Sequence, residues 1–208
     1  MNKIFSFGLV LALFFCIMSF GFPPIQKEKI ISDFNLKNVN NKFVSLNSFK
    51  NAKGYIVVFT CNKCPMAKFY SERLNKLNQK YKSKGVYLLA INSMDTLAYA
   101  EESFKKMKVR SKIDQFNFPY LQDKLQVVAK AFKAVHTPQA FIIWKNNTGK
   151  YTVKYEGAID DNAGDAVTAK PYLSIAVDEL LSNKRVSDPK TESFGCRIYF
   201  RGEKNNMK

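Results

Sequence analysis

The sequence predicts a single α/β domain in which a central mixed β-sheet is flanked by helices. Three apolar runs of strand length, at residues 55–59, 86–91 and 139–144, alternate with helical patterns. Strand–helix–strand units come first, and a hairpin and a helix come last. No internal repeat or linker divides the 208 residues, which are enough for one sizeable core.

The remaining elements follow from local patterns. Before the apolar run at 86–91, the sequence predicts a β-hairpin over 34–46 and a loop or helical turn at 47–51. The first strand follows, and then a helix from 65 to about 84. After the run at 86–91, the sequence predicts a helix over 96–110, a short strand at 118–121 and a helix over 125–132. The third strand then has a hairpin partner at 151–155, and a helix over 168–181 comes last.

Individual residues mark several of these boundaries. Asn40-Asn41 suit left-handed turn positions, Gly85 stops the first helix, and Asp95 caps the second. Asp160-Asp161 are expected in a surface turn. The tail after residue 183 is mostly polar, but its apolar residues 198–200 are expected to add an edge strand or to pack against the body.

The first 21 residues have the pattern of a secretory signal peptide. A short positive start precedes residues 4–22, which are almost wholly apolar and uncharged, and Pro23-Pro24 ends the run. Two alternatives stay open: an uncleaved membrane anchor, since 19 such residues just span a bilayer, and a lipoprotein modified at Cys16. All three place residues 22–208 outside the cytoplasm: secreted, periplasmic, or anchored and facing outward.

The chain is strongly basic, with 33 Lys and Arg against 17 Asp and Glu and a formal net charge of +16. The lysines are scattered and form no block or recognition motif, so nucleic-acid binding is not predicted. A solvated surface accounts for this charge, and attraction to an anionic membrane or an acidic protein is its functional alternative.

The chemistry of the chain is predicted to centre on Cys61-Asn62-Lys63-Cys64, between the first strand and its helix. Free N–H groups and the dipole at a helix start stabilise a thiolate, and Lys63 adds positive charge nearby. Pro65 suits the first helical position. The motif predicts a redox dithiol in which Cys61, on the exposed side, attacks a disulfide and Cys64 resolves it. A structural zinc site would need a second cysteine pair, which the chain lacks.

Outside the leader, one cysteine remains besides this pair. Cys196 is either a passive buried thiol or a third redox partner. A second motif, Val135-His136-Thr137-Pro138, directly precedes the third strand. Its proline suits the first position of a strand or a cis turn.

The order of these motifs along the chain resembles that of the thioredoxin superfamily. More narrowly, it resembles the redoxin group related to alkyl hydroperoxide reductase and thiol-specific antioxidant proteins. The resemblance covers about residues 30–200, and the stretches that carry it are 57–65, 86–92, 118–123, 135–138, 155–162 and 193–196. It implies a thioredoxin-like fold in which the dithiol faces a loop with a cis-proline. It also implies that Thr137 and Pro138 dock the extended backbone of a disulfide-linked partner.

The chain departs from the family pattern at three places. Thr60 replaces the usual Trp before the first cysteine, and His136, the only histidine, stands where close relatives often have Cys. Counting back from Cys61, Val58 and Gly54 replace the Thr and Pro of the peroxidatic motif. For His136 three roles stay open: a hydrogen-bonded loop residue, a tuner of the thiolate together with Thr60 and Lys63, or a metal ligand beside the dithiol.

These observations predict a thiol–disulfide oxidoreductase that acts on protein disulfides or dithiols outside the cytoplasm, with no cofactor, resident metal or nucleic-acid partner. An uncleaved leader would associate the chain with a membrane. A thiol peroxidase and a copper- or zinc-binding delivery module are the alternatives. The sequence does not predict the oligomeric state, the partners or the direction of exchange.

Overall fold

The computed structural model describes residues 29–202. The predicted signal peptide at residues 1–21, with Cys16, lies outside the described residues. Within residues 29–202, no helix is both long enough and apolar enough to cross a membrane.

Ten strands and five α-helices make up this part of the chain. The strands are Ile30–Ile31 (β1), Leu36–Asn38 (β2), Phe43–Val44 (β3), Gly54–Phe59 (β4), Val86–Asn92 (β5), Tyr120–Gln122 (β6), His136–Thr137 (β7), Gln139–Lys145 (β8), Tyr151–Gly157 (β9) and Cys196–Arg197 (β10). The α-helices are Pro65–Phe69 (α1), Ser71–Tyr81 (α2), Phe104–Ile113 (α3), Val127–Phe132 (α4) and Tyr172–Leu181 (α5).

Eight of the strands form one mixed sheet in the order β1-β9-β8-β4-β5-β6-β2-β3. The central strand β4 runs parallel to β5 and antiparallel to β8. The hairpin β2–β3 lies at one edge, with Asn41 in the left-handed conformation at its turn. The predicted mixed sheet flanked by helices is confirmed, and so is the N-terminal hairpin.

The alternation of side chains along β4 divides the core between the two faces of the sheet. Tyr55, Val57 and Phe59 face a cluster that contains the dithiol and helix α4. Ile56 and Val58 face a cluster built by helices α2, α3 and α5. All five side chains are buried, because helices or loops cover both faces of this central strand.

Two helices begin later than predicted. The helix expected from residue 96 begins at Phe104, and the helix expected from residue 168 begins at Tyr172. Asp95 does accept a hydrogen bond from the nearby Leu97 N–H, but it closes a turn and not a helix. Aspartate side chains stabilise both structures in the same way, so the local sequence does not separate them.

Asp160 is also misplaced by the sequence prediction. Asp161 is exposed, but Asp160 is buried and accepts hydrogen bonds from Tyr70 and Arg73 of the neighbouring helices. The partners that make its burial favourable come from a distant part of the chain.

The tail after α5 returns to the dithiol end of the sheet. Strand β10 pairs antiparallel with β7, and Ile198 is buried in the same cluster as the dithiol. Gly195 makes this approach feasible, because a Cβ there would lie 2.3 Å from the Thr137 carbonyl oxygen. Its φ of +146° also disfavours other residues. The tail therefore packs against the body through Ile198. Its strand precedes the residues expected to form one, and it pairs with β7 in a separate two-stranded sheet instead of extending the main sheet.

Candidate redox site

The dithiol lies at the junction between β4 and α1, as predicted. The Thr60 N–H donates to the Ile91 carbonyl at 2.9 Å, which extends the strand pairing up to the first cysteine. Cys64 caps α1, and Pro65 occupies its first turn, where no donor is needed.

The two sulfurs are enclosed, and the third described thiol is less so. Cys61 is 1% exposed and Cys64 is 3% exposed, while Cys196 is partly exposed. The prediction that Cys61 lies on an exposed side is therefore wrong. Strand β10 covers this side of the site, and residues this distant in sequence gave no local signal of it.

Thr137 connects all three cysteines. Its hydroxyl oxygen lies 3.1 Å from the Cys61 sulfur and donates to the Cys196 carbonyl at 3.3 Å. Its own carbonyl lies 3.3 Å from the Cys64 sulfur. The Thr137–Pro138 bond is cis, one of the two conformations expected for it.

Hydrogen bonds within the site favour the thiolate form of Cys64. The Cys61 thiol donates to it and lowers the pKa of Cys64 from 9.0 to about 4, helped by the Cys196 thiol and the N–H groups of Ala67 and Cys196. These donors outweigh burial and the single carbonyl of Thr137, which both favour the neutral thiol.

The other two thiols are held neutral. The pKa of Cys61 is raised by its hydrogen bond to Cys64, by burial and by the charge of Glu102. The pKa of Cys196 rises to about 11, first because of burial and then because of its contact with Cys64. The helix start therefore stabilises a thiolate at the second cysteine of the motif.

Glu102 is a residue of this site that the sequence analysis missed. It is 2% exposed, and its carboxylate accepts hydrogen bonds from the backbone N–H groups of Asn62 at 2.7 Å and Lys63 at 3.0 Å. It thereby fixes the loop between the two cysteines. The sequence gave no signal for this, because Glu102 fell inside a predicted helix where acidic residues are usually solvated.

A small polar network supports Glu102. The Asn92 side chain donates to its carboxylate at 2.8 Å and to the Tyr120 hydroxyl at 3.2 Å. That hydroxyl donates in turn to the Asn62 side chain at 2.8 Å. Buried polar groups that are satisfied in this way hold the loop in one conformation.

The three residues predicted to tune the thiolate differ in their burial and in their hydrogen-bond partners. Thr60 is buried, and its hydroxyl has no hydrogen-bond partner within residues 29–202. Lys63 is exposed, so water screens its ammonium, and its backbone N–H is what binds Glu102. The His136 ring lies 3.2 Å from the Ser193 hydroxyl of the tail.

A metal site would need several ligands close together. In the part of the chain that the structure describes, no group of three or more His, Cys, Asp and Glu side chains is placed to hold a metal ion. The interaction of His136 with Ser193 fits the first of its three predicted roles, that of a hydrogen-bonded loop residue.

The fold is that of a thioredoxin-like redoxin. The model of the AhpC/TSA family matches residues 28–152, and the chain belongs to this family. Protein SMc02350 of Sinorhizobium meliloti 1021 is 31% identical to it, with a TM-score of 0.76 over 86% of this chain and 97% of that one.

Two further similarities are weaker. A thiol:disulfide interchange protein DsbE from Chlorobium tepidum, 19% identical with a TM-score of 0.50 over 61% of this chain and 82% of that one, shares the fold. Phospholipid hydroperoxide glutathione peroxidase 1, a chloroplastic protein of Arabidopsis thaliana, is 35% identical over 63 residues. That match covers 30% of this chain and 26% of the plant protein, so the chain spans about a quarter of the length of this relative.

Proposed function

We propose that the chain is a thiol–disulfide oxidoreductase that exchanges disulfides with partner proteins through Cys61 and Cys64. The observation that carries this proposal is the contact of both sulfurs with Thr137, the residue before the cis-proline, at 3.1 and 3.3 Å. Two thiols that share one proton at a helix start form an exchange centre, because one of them is already a nucleophile.

The exchange takes place in two steps. A thiolate of the site attacks a partner disulfide, forms a mixed disulfide and releases one partner sulfur as a thiolate. The second cysteine then attacks the first, which releases the other partner sulfur and leaves the Cys61–Cys64 disulfide. Two electrons pass to the partner, and its thiolates take up the protons. The lowered pKa of Cys64 supports Cys64 as the first nucleophile, the reverse of the order expected from the sequence.

The partner backbone is proposed to dock at Thr137 and Pro138. In the structure β10 already pairs with β7, so Cys196 lies opposite Thr137. An extended partner segment therefore reaches this edge after β10 has moved away. This cover explains how an exchange centre is kept from reacting with small thiols at random.

The site of action is proposed to be outside the cytoplasm. The signal-like leader supports this, and so does the chemistry, because disulfides persist in such compartments. Fractionation of the native host tests it: the mature chain is expected in the periplasmic or secreted fraction, and recovery from the cytosol alone contradicts it.

Trapping in the native host tests the exchange itself. A Cys61→Ser variant is expected to accumulate mixed disulfides on Cys64, and a variant with both cysteines replaced by serine is the control. Capture on Cys61 in a Cys64→Ser variant would instead support the order expected from the sequence. The proposal fails if neither single variant captures partners above the double-serine control.

Peroxide reduction is a second candidate, favoured by the family and by the name of the plant relative. The Thr137 hydroxyl lies 3.1 Å from the Cys61 sulfur, as expected of a peroxidatic threonine, although Thr137 comes from strand β7 and not from the segment before the cysteine. Rapid loss of the Cys61 thiol with hydrogen peroxide would support this function. Loss no faster than that of a free cysteine, with exchange intact, would eliminate it.

A further inference from the structure

Cys196 lies beside the dithiol. Its side chain packs against the buried cluster that contains Cys61 and Cys64. It is paired with Thr137, whose carbonyl lies 3.3 Å from the Cys64 sulfur. The lowered pKa of Cys64 agrees with this proximity, because the Cys196 thiol is one of the groups that lower it. Cys61 and Cys196 are linked through Thr137, which contacts the sulfur of one and the carbonyl of the other.

The tail that carries Cys196 is fixed on both sides of the thiol. Before it, Gly195 lies so close to Thr137 that no side chain fits. After it, the Ile198 N–H donates to the Val135 carbonyl at 2.8 Å, and the Ile198 side chain is buried. The position of Cys196 beside the dithiol is therefore built into the packing of the tail.

The buried Gln126 side chain holds the end of the tail. Its amide donates to the Tyr199 carbonyl at 2.8 Å, and its oxygen accepts from the Arg201 N–H at 2.7 Å. A thiol held in this way has a high effective concentration at the neighbouring sulfur.

We propose that Cys196 is a third redox-active residue, which takes over the disulfide from the Cys61–Cys64 pair. The Cys196 thiolate attacks the Cys64 sulfur of the oxidised pair. The Cys64–Cys196 bond forms, the Cys61–Cys64 bond breaks, and Cys61 leaves as a thiolate that takes up a proton. The step is redox-neutral and needs no further reactant.

The charges at the site give this step a direction. After burial, contact with Cys64 is what keeps the pKa of Cys196 at about 11 in the reduced site. Oxidation of Cys61 and Cys64 removes the contribution of Cys64, so the pKa of Cys196 falls, although burial still raises it. A larger fraction of Cys196 is therefore thiolate when there is a disulfide for it to attack.

The relay also moves the disulfide from the enclosed pair to a more exposed cysteine. Cys196 is the most exposed of the three described thiols, so a Cys64–Cys196 disulfide is open to a thiol that does not reach Cys61. This role rests on the proposed exchange function, since it moves the disulfide which that function creates.

Disulfide mapping of the full chain tests the relay. Trypsin cuts after Lys63 and so places Cys61 and Cys64 on different peptides. A Cys61→Ser variant, oxidised at low protein concentration, is expected to form an intramolecular Cys64–Cys196 disulfide. In the wild type, mapping is expected to find this disulfide beside Cys61–Cys64. The relay is wrong if Cys64 and Cys196 stay free in the variant under conditions that oxidise the wild-type pair fully.

A second variant separates the relay from chance oxidation. Gly195→Val pushes the tail away from Thr137 without altering a thiol, so in the Cys61→Ser background it is expected to slow Cys64–Cys196 formation by roughly tenfold or more, through loss of effective concentration. An unchanged rate would show that the packing of the tail is irrelevant and would overturn the proposal.

The relay and the exchange function fail in different ways. In the trapping experiment, adding Cys196→Ser to Cys61→Ser is expected to increase the captured partners, because Cys196 no longer resolves them. Capture that is strong but unaffected by Cys196→Ser contradicts the relay alone. Absence of capture in all variants, with the Cys64–Cys196 disulfide still formed, contradicts the exchange function alone.

Discussion

Two buried carboxylates, Glu102 and Asp160, are stabilised in different ways. Asp160, 4% exposed, forms an ion pair with Arg73 at 2.6 Å and accepts from the Tyr70 hydroxyl at 2.8 Å. Glu102, 2% exposed, accepts from neutral N–H groups: the backbone of Asn62 and Lys63 and the side chain of Asn92.

The difference separates a structural carboxylate from one that acts on the redox site. The guanidinium of Arg73 neutralises Asp160, whose role is to tie α2 to the segment after β9. The charge of Glu102 is spread over neutral donors, so it still acts on its surroundings. Together with the hydrogen bond to Cys64 and burial, it raises the pKa of Cys61. Neutral donors hold a charge in place without cancelling its field.

The largest effect on stability is expected from Asp160→Asn. Removing one partner of a buried ion pair leaves Arg73 uncompensated and is expected to cost about 3 kcal/mol of unfolding free energy. Urea denaturation measures this, with the exposed neighbour Asp161→Asn as the control. Since Asp160 is neutralised locally, the titration of the dithiol should not change. A shifted thiol titration would break the distinction between the two carboxylates.

Glu102→Gln is expected to lower the unfolding free energy by less than Asp160→Asn does. Unlike that change, it is expected to alter the titration of the dithiol. The amide of Gln offers one acceptor to a loop that needs several, which costs about 2 kcal/mol. Removing the negative charge also lowers the pKa of Cys61, so the upper ionisation of the dithiol moves to lower pH. Thiolate absorbance of the reduced protein, followed against pH, measures this shift.

The sign of the accompanying stability change follows from linkage. A thiol whose folded pKa is raised contributes stability that is present below its unfolded value and is lost as the pH rises above it. In the Glu102→Gln variant, the loss of unfolding free energy at alkaline pH is expected to be smaller. Glu101→Gln, an exposed change of equal charge, is the control, and an equal shift in both variants would refute a specific role for Glu102.

Two matched tyrosine changes include the smallest expected effect. Tyr120→Phe removes the hydroxyl that supports the Asn62 side chain, at a cost of about 1 kcal/mol, whereas Tyr70→Phe removes a bond to a charged carboxylate and costs about 2 kcal/mol. Only Tyr120→Phe is expected to change the rate of dithiol exchange, since it loosens the loop between the cysteines. Comparable exchange rates in both variants and the wild type would contradict the assignment of this network to the redox site.

The success of the sequence predictions depended on how local each feature is. The strand before Cys61 and the start of the helix after Cys64 were predicted, because neighbouring residues set them. The helix was expected to run unbroken to about residue 84, but it divides at Tyr70 into α1 and α2. The cis turn at Pro138 was one of the two conformations expected for it. The later start of α3 was not predicted, because Asp95 serves a turn as readily as a helix. Glu102 was missed, because its partners in the dithiol loop lie 39 and 40 residues away along the chain.

The sequence by itself determined the α/β domain, the position of the dithiol at a strand–helix junction, and the loop that faces it. Only the tertiary structure decided which groups raise or lower the pKa of each sulfur and how enclosed the pair is. The reason is that both properties depend on groups from distant segments: the carboxylate of Glu102 and the tail strand, whose Cys196 lies 59 residues beyond Thr137. Short-range periodicity fixes the elements of a fold, whereas burial and electrostatics at a site are sums over everything packed around it.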